Sequence, residues 1–166
     1  ISKIFCTTAV MQLVEQGKMD LDEPICTYLP DFWMPDARYK KITLRHCLNH
    51  SCALPGTQWK HFYTPEMTEK DIDTYYREVY YYLAHSWMKA EPGTYSVYCN
   101  DGFTLAEMAV AAVTGQPFHK YCEEHITRPL GAHSTRTAIL RNPENPLTVQ
   151  NEKRSELIWI QGCGGF

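Results

Sequence analysis

The sequence predicts a mainly α chain. Apolar residues recur at helical spacing in five separate stretches, glycine or proline punctuates most of their ends, and period-two alternation is confined to the short piece from Tyr95 to Tyr98. With 166 residues, 44% of them apolar, the chain is long enough to bury one core of its own.

The first helix is expected from Lys3 to Gln16, where Phe5, Ala9, Val10, Leu13 and Val14 fall at helical spacing and Gly17 follows as a residue tolerant of positive φ. Asp20 to Pro35 carries Pro24, Pro30 and Pro35 among isolated apolar residues and reads as an extended, turn-rich wrap. Thr43 then caps a short helix through Leu48, which the turn Ser51-Cys52-Ala53-Leu54-Pro55-Gly56 ends. Thr68 opens the third helix, with Glu69 and Asp71 in its first turn and a stripe of Ile72, Tyr75, Val79 and Tyr82 reaching about Ser86. Glu91-Pro92-Gly93-Thr94 breaks it. After the extended piece, Asn100-Asp101-Gly102 leads into a helix from about Phe103 to Val113, closed by Gly115, and Pro117 starts a fifth helix to about Ile126, which stops before Pro129. Leu140 to Asn151 reads as a connection rich in Pro and Asn, and Gly162 to Gly165 as a loop of sharp turns.

With 16 Lys+Arg against 19 Asp+Glu the net charge is −3, so no basic footprint invites a phosphate backbone and nucleic acid is excluded as the expected partner. No run approaches the roughly 18 apolar residues of a membrane-spanning helix. The opening Ile1-Ser2-Lys3 has no initiator Met, which predicts that a segment once stood upstream. Seven cysteines, an odd number without the spacing of a disulfide framework, favour a reducing, cytoplasmic compartment.

Tyr98 and Asn100 lie two residues apart at the end of the extended piece, so a phenol and an amide point the same way. A phenol can act as a general base and an amide can orient a carbonyl and a lysine. Taken alone, the pair also fits a core tyrosine beside a capping asparagine. Cys99 between them is expected to point away and pack. Lys3, in the first turn of an amphipathic helix, is by itself an ordinary solvated charge.

These pieces, with what lies between them, resemble the serine β-lactamase and penicillin-binding-protein superfamily, in its class C-like branch. The resemblance runs over essentially the whole chain. It rests on Ser2-Lys3 to Gly17-Lys18-Met19-Asp20-Leu21-Asp22-Glu23-Pro24, on Ile42 to Ser51, on Pro92-Gly93 to Phe103, and on Gly115-Gln116-Pro117-Phe118, Pro129-Leu130-Gly131 and Gly162 to Gly165. Within it, Lys3 matches the lysine that stands three residues after a nucleophilic serine, and Tyr98 and Asn100 match the Tyr-x-Asn motif. The serine falls immediately before Ile1; Ser2 does not replace it, because the residue three beyond Ser2 is Phe5.

The resemblance implies the helical lobe of an α/β-sandwich, β-lactamase/transpeptidase-like fold, one lobe over residues 1–166, truncated at both ends relative to the family. It implies hydrolysis of a β-lactam, peptide or ester through an acyl-enzyme, with Lys3, Tyr98 and Asn100 in the site, no metal or other cofactor, and the remaining α/β half of the same protein as partner. The family's third motif, Lys or His with x-Gly on a closing strand, lies further downstream, so residues 1–166 alone are expected to be inactive. The family is often exported in bacteria, which pulls against the reducing compartment favoured by the cysteines. The alternative from another class is a non-catalytic helical module that binds a partner through Tyr75, Tyr76, Tyr80, Tyr81 and Tyr82, or a zinc-stabilised domain built on His46, Cys47, His50 and Cys52.

Overall fold

A computed structural model describes residues 1–56 and 69–135, together with the short strands Tyr63–Thr64 and Leu157–Ile158. Six helices order these residues: α1 (Ser2–Glu15), α2 (Ile25–Tyr28), α3 (Leu44–Leu48), α4 (Glu69–Ala84), α5 (Asn100–Thr114) and α6 (Phe118–Cys122). The two strands, β1 (Tyr63–Thr64) and β2 (Leu157–Ile158), pair antiparallel, Tyr63 opposite Ile158. The connection expected over Leu140–Asn151, the Gly162–Gly165 loop and the Thr68 cap lie outside the described residues.

The packing centre is α5. Every residue from Asn100 to Val110 is buried, and α1, α2, α3, α4 and α6 all contact it. A helix apolar around most of its circumference has no face for solvent and must be enclosed by neighbours. It begins three residues earlier than its apolar stripe predicts, because Asn100-Asp101-Gly102, which looks like a turn in sequence, already forms the buried first turn. Gly102 is there for space. A Cβ at that position would stand 3.1 Å from the Cys52 sulfur and 3.3 Å from the backbone of Cys47, so α3 and α5 approach through the missing side chain. Gly102→Val is expected to destabilise the full-length protein by about 2 kcal/mol, since rigid backbone on the far side leaves overpacking little room to relax. A lower urea midpoint at unchanged slope checks this.

The helix ends follow the sequence closely. Gly17, at φ +66°, closes α1: the Lys18 N–H donates to Leu13 O at 2.9 Å and the Gly17 N–H to Val14 O at 2.9 Å, the paired bonds of a left-handed helix stop. Gly115, at φ +68°, closes α5 in the same backbone region. Pro117 caps α6, which continues into one π-turn, Glu123–Thr127, before the chain leaves the helix. The proline-rich wrap contains more order than its composition suggests. One turn of helix, α2, forms behind Pro24, and a 3₁₀ turn, Ala37–Lys41, is capped by Asp36, whose side chain accepts from the Arg38 N–H. The Arg38 guanidinium beside it holds the Asp36 carboxyl down at about 2.

Tyr95 to Tyr98, read from its alternation as a short extended piece, joins no sheet among the described residues. It runs instead beside the turn that follows α3 and bonds to it: the Gly93 N–H donates to Ser51 O at 2.8 Å and the Val97 N–H to His50 O at 2.9 Å. The backbone donors are satisfied by a loop rather than by a neighbouring strand.

Candidate active site

Packing of α1 against α5 brings the start of both helices to one place. The Cys6 thiol lies 3.7 Å from Phe103 O across that contact, and Lys3, one turn earlier on α1, is half-buried at its open edge. There the Lys3 ammonium donates to the Tyr98 hydroxyl at 2.7 Å and to Asn100 Oδ1 at 2.9 Å, across 95 and 97 residues of sequence. It also sits 4.6 Å from the centre of the Tyr98 ring and 5.2 Å from that of Phe103, close enough for attraction to both π faces.

Burial divides the three. Asn100, the first residue of α5, is buried, so its amide is fixed by the helix. Tyr98 is 66% exposed, so its hydroxyl is open to a molecule arriving from solvent. Cys99 between them is buried beside Cys52, and that neighbour together with burial pushes its thiol far up, which makes it inert packing. A groove of 790 Å³ leads away from Lys3 between α1 and the end of α3, lined by Thr7, Met11, Leu48, His50 and Phe103.

The turn that carries this edge starts from α3. Thr43 Oγ1 accepts from the His46 N–H at 3.3 Å while the Thr43 N–H donates to His46 Nδ1 at 3.2 Å, a reciprocal cap with histidine in the place usually held by Glu or Gln. Past the helix end, His50 adopts φ +64° and the Ser51 N–H donates to His46 O at 2.9 Å. The His50 ring then lies 4.6 Å from the Tyr98 ring, and its Nδ1 accepts from the Cys99 N–H at 3.2 Å. Burial, and then the Lys3 charge, lower the His50 pKa, which favours the neutral ring.

His46 and His50 therefore do not share a helix face, because α3 stops at Leu48. Each accepts from a backbone N–H instead of donating to a carbonyl. Cys47 and Cys52 are fully buried, and burial raises the Cys47 thiol strongly. Among the described residues no three His, Cys, Asp or Glu side chains converge on a metal position, so the quartet weighed for zinc is not brought together. None of the described cysteines, Cys6, Cys26, Cys47, Cys52, Cys99 and Cys122, is in a disulfide.

Most of the tyrosine run turns inward. Tyr75 is buried with its hydroxyl 2.8 Å from Thr104 Oγ1, Tyr76 donates to Glu107 at 2.8 Å, Tyr80 stacks on Phe32 and Tyr82 donates to Gly56 O. Burial first, and then Glu107, hold the Tyr76 phenol well above its ordinary range, so it stays protonated and satisfies the buried carboxyl. Within the run, Tyr81 alone is exposed, which leaves α4 without a tyrosine-lined outer face.

Known proteins share this fold. The family described as Beta-lactamase matches residues 1–158. The chain is 30% identical over 130 residues to the putative penicillin-binding protein PbpX of Bacillus subtilis, covering 78% of this chain and 29% of that protein. It is 30% identical over 137 residues to the D-alanyl-D-alanine-carboxypeptidase/endopeptidase AmpH of Escherichia coli, covering 81% of this chain and 34% of that one. The crystal structure of a D-stereospecific amidohydrolase from Streptomyces sp. superposes with a TM-score of 0.67 at 28% identity, over 86% of this chain and 45% of that chain. The chain thus spans about a third of the length of the curated relatives it matches. A match running through every described residue, on a fold shared with the Streptomyces amidohydrolase, shows that the chain belongs to the β-lactamase family, within the serine β-lactamase and penicillin-binding-protein superfamily.

Proposed function

We propose that residues 1–166 are the helical lobe of a serine hydrolase that works through an acyl-enzyme, with Lys3, Tyr98 and Asn100 as its polar machinery. A serine immediately before Ile1 supplies the nucleophile, one helical turn ahead of Lys3. The observation that carries this reading is the convergence of one ammonium on the Tyr98 hydroxyl and the Asn100 amide, at 2.7 and 2.9 Å.

The Lys3–Tyr98 pair reacts one proton short of ammonium plus phenol, and the serine oxygen attacks the substrate carbonyl while its proton passes to that open place on the pair. The carbon–nitrogen or carbon–oxygen bond then breaks, and the leaving group takes that proton. Water attacks the resulting ester, its proton goes to the same pair, and the serine regains a proton as the acid product leaves. Because Lys3 and Tyr98 share one hydrogen bond, the proton belongs to the pair and the base is assigned jointly. Asn100 holds the Lys3 ammonium through Oδ1 and turns its amide nitrogen toward the substrate.

The site stands beside apolar surface that a second body covers. Ile4 is 68% exposed and Met11 44%, and both line the groove from α1. A second half of the fold seated there buries these residues and brings the strand that carries an oxyanion N–H donor. Residues 1–166 by themselves then form no acyl-enzyme.

For the substrate we favour a peptide or amide carbonyl over a simple ester, supported by relatives named as a D-alanyl-D-alanine carboxypeptidase/endopeptidase and a D-stereospecific amidohydrolase. The full-length protein, given a D-alanyl-D-alanine peptide, a penicillin and a nitrophenyl ester in parallel, is expected to release D-alanine at the highest kcat/KM. Turnover of the ester alone contradicts the amide preference, and turnover of none contradicts the hydrolase reading.

A further inference from the structure

We propose that His50 is a positioning residue, whose ring and backbone together set the Tyr98 hydroxyl against Lys3; the inference rests on the hydrolase reading above. Three contacts from this one residue reach three consecutive residues of the segment that carries the phenol. His50 O accepts from the Val97 N–H at 2.9 Å, the imidazole lies 4.6 Å from the Tyr98 ring at an interplanar angle of 36°, and Nδ1 accepts from the Cys99 N–H at 3.2 Å. Val97, Tyr98 and Cys99 belong to no helix or strand, so no regular ladder fixes their register. Tyr98 is largely exposed, so no enclosing core fixes its side chain. Apart from Lys3 itself, what holds the phenol comes from the facing turn.

The backbone at His50 shows how the ring is aimed. Its φ of +64° lies in the left-handed region, where side-chain-bearing residues are uncommon and glycine or asparagine is the usual helix stop. That conformation carries the side chain off the α3 axis and over the Tyr98–Phe103 edge, 5.1 Å from the Phe103 ring. Accepting the Cys99 N–H requires an unprotonated Nδ1, so the proton of the neutral ring sits on Nε2. Cys99 is also the N-cap of α5, which makes the same bond fix both the phenol before it and the Asn100 amide after it.

Two substitutions separate positioning from folding. His50→Gly suits the left-handed backbone and removes the acceptor and the ring. His50→Asn also suits it and returns an oxygen close to the place of Nδ1. In the full-length protein, His50→Gly is expected to lower the acylation rate about thirtyfold with little change in KM, and His50→Asn to recover to within about threefold of the parent. Hydrogen exchange of the Cys99 amide reads the same bond without any chemistry: protected in the parent and in His50→Asn, fast in His50→Gly. If His50→Gly acylates at the parent rate, or His50→Asn is as slow as His50→Gly, the positioning role is overturned while the hydrolase reading stands. If the parent forms no acyl-enzyme at all, both fall together.

Discussion

Lys3→Met in the full-length protein is expected to lower the acylation rate by about 10³-fold while the protein stays folded. Methionine keeps most of the length and apolar stem of lysine, so the first turn of α1 keeps its packing. What disappears is the ammonium that donates to Tyr98 at 2.7 Å and to Asn100 at 2.9 Å. The serine proton then has no cationic partner beside its acceptor, and Asn100 Oδ1 loses the donor it accepts from. The loss should fall on kcat and kcat/KM alike, because the interaction is used as charge moves rather than in ground-state binding. Stopped-flow acylation with a chromogenic penicillin measures it. A Lys3→Met protein that acylates at the parent rate removes Lys3 from the machinery.

Tyr98→Phe is the next largest, with an expected loss of about 10²-fold in acylation. The substitution removes one oxygen and leaves the ring, so the 4.6 Å contacts to His50 and to the Lys3 ammonium persist. Because Tyr98 is 66% exposed, no buried partner is stranded and stability should barely change. The rate and the thermal midpoint therefore separate cleanly. A large fall in the midpoint would mark Tyr98 as structural, and an unchanged rate would leave Lys3 as the sole proton carrier.

Much of the fold is legible in the sequence because its punctuation is local. Gly17 and Gly115 stand where the chain takes positive φ, Thr43 caps α3, and Pro117 caps α6. The start of α5 is harder to read. Asn100, Asp101 and Gly102 carry the composition of a turn, and only the close approach of Cys47 and Cys52 explains why a glycine belongs inside that helix. The Tyr95–Tyr98 alternation tells only part of the story for a related reason: period two suggests an extended shape without saying what it will bond to, and here the partner is a loop.

The site shows the same division. Lys3, Tyr98 and Asn100 can be picked out by spacing and resemblance, although nothing local says that residues 95 and 97 apart will meet. His50 is the residue that sequence reasoning misplaces. Its distance of four from His46 suggests a shared helix face, but α3 ends at Leu48 and the left-handed turn swings the ring toward Tyr98. The glycine-free sequence Asn49-His50-Ser51 hides a helix stop that is ordinarily recognised by its glycine. The tyrosine run on α4 misleads in the opposite direction, since buried acceptors such as Glu107 and Gly56 O draw polar rings inward.

The central claim is that Lys3, Tyr98 and Asn100 serve a serine one turn ahead of Lys3. Incubating the full-length protein with a fluorophosphonate, weighing it intact and mapping the labelled peptide tests that claim most directly. The account predicts a single adduct on the serine immediately before Ile1, lost when that serine is replaced by alanine. An adduct elsewhere, or none, would contradict it.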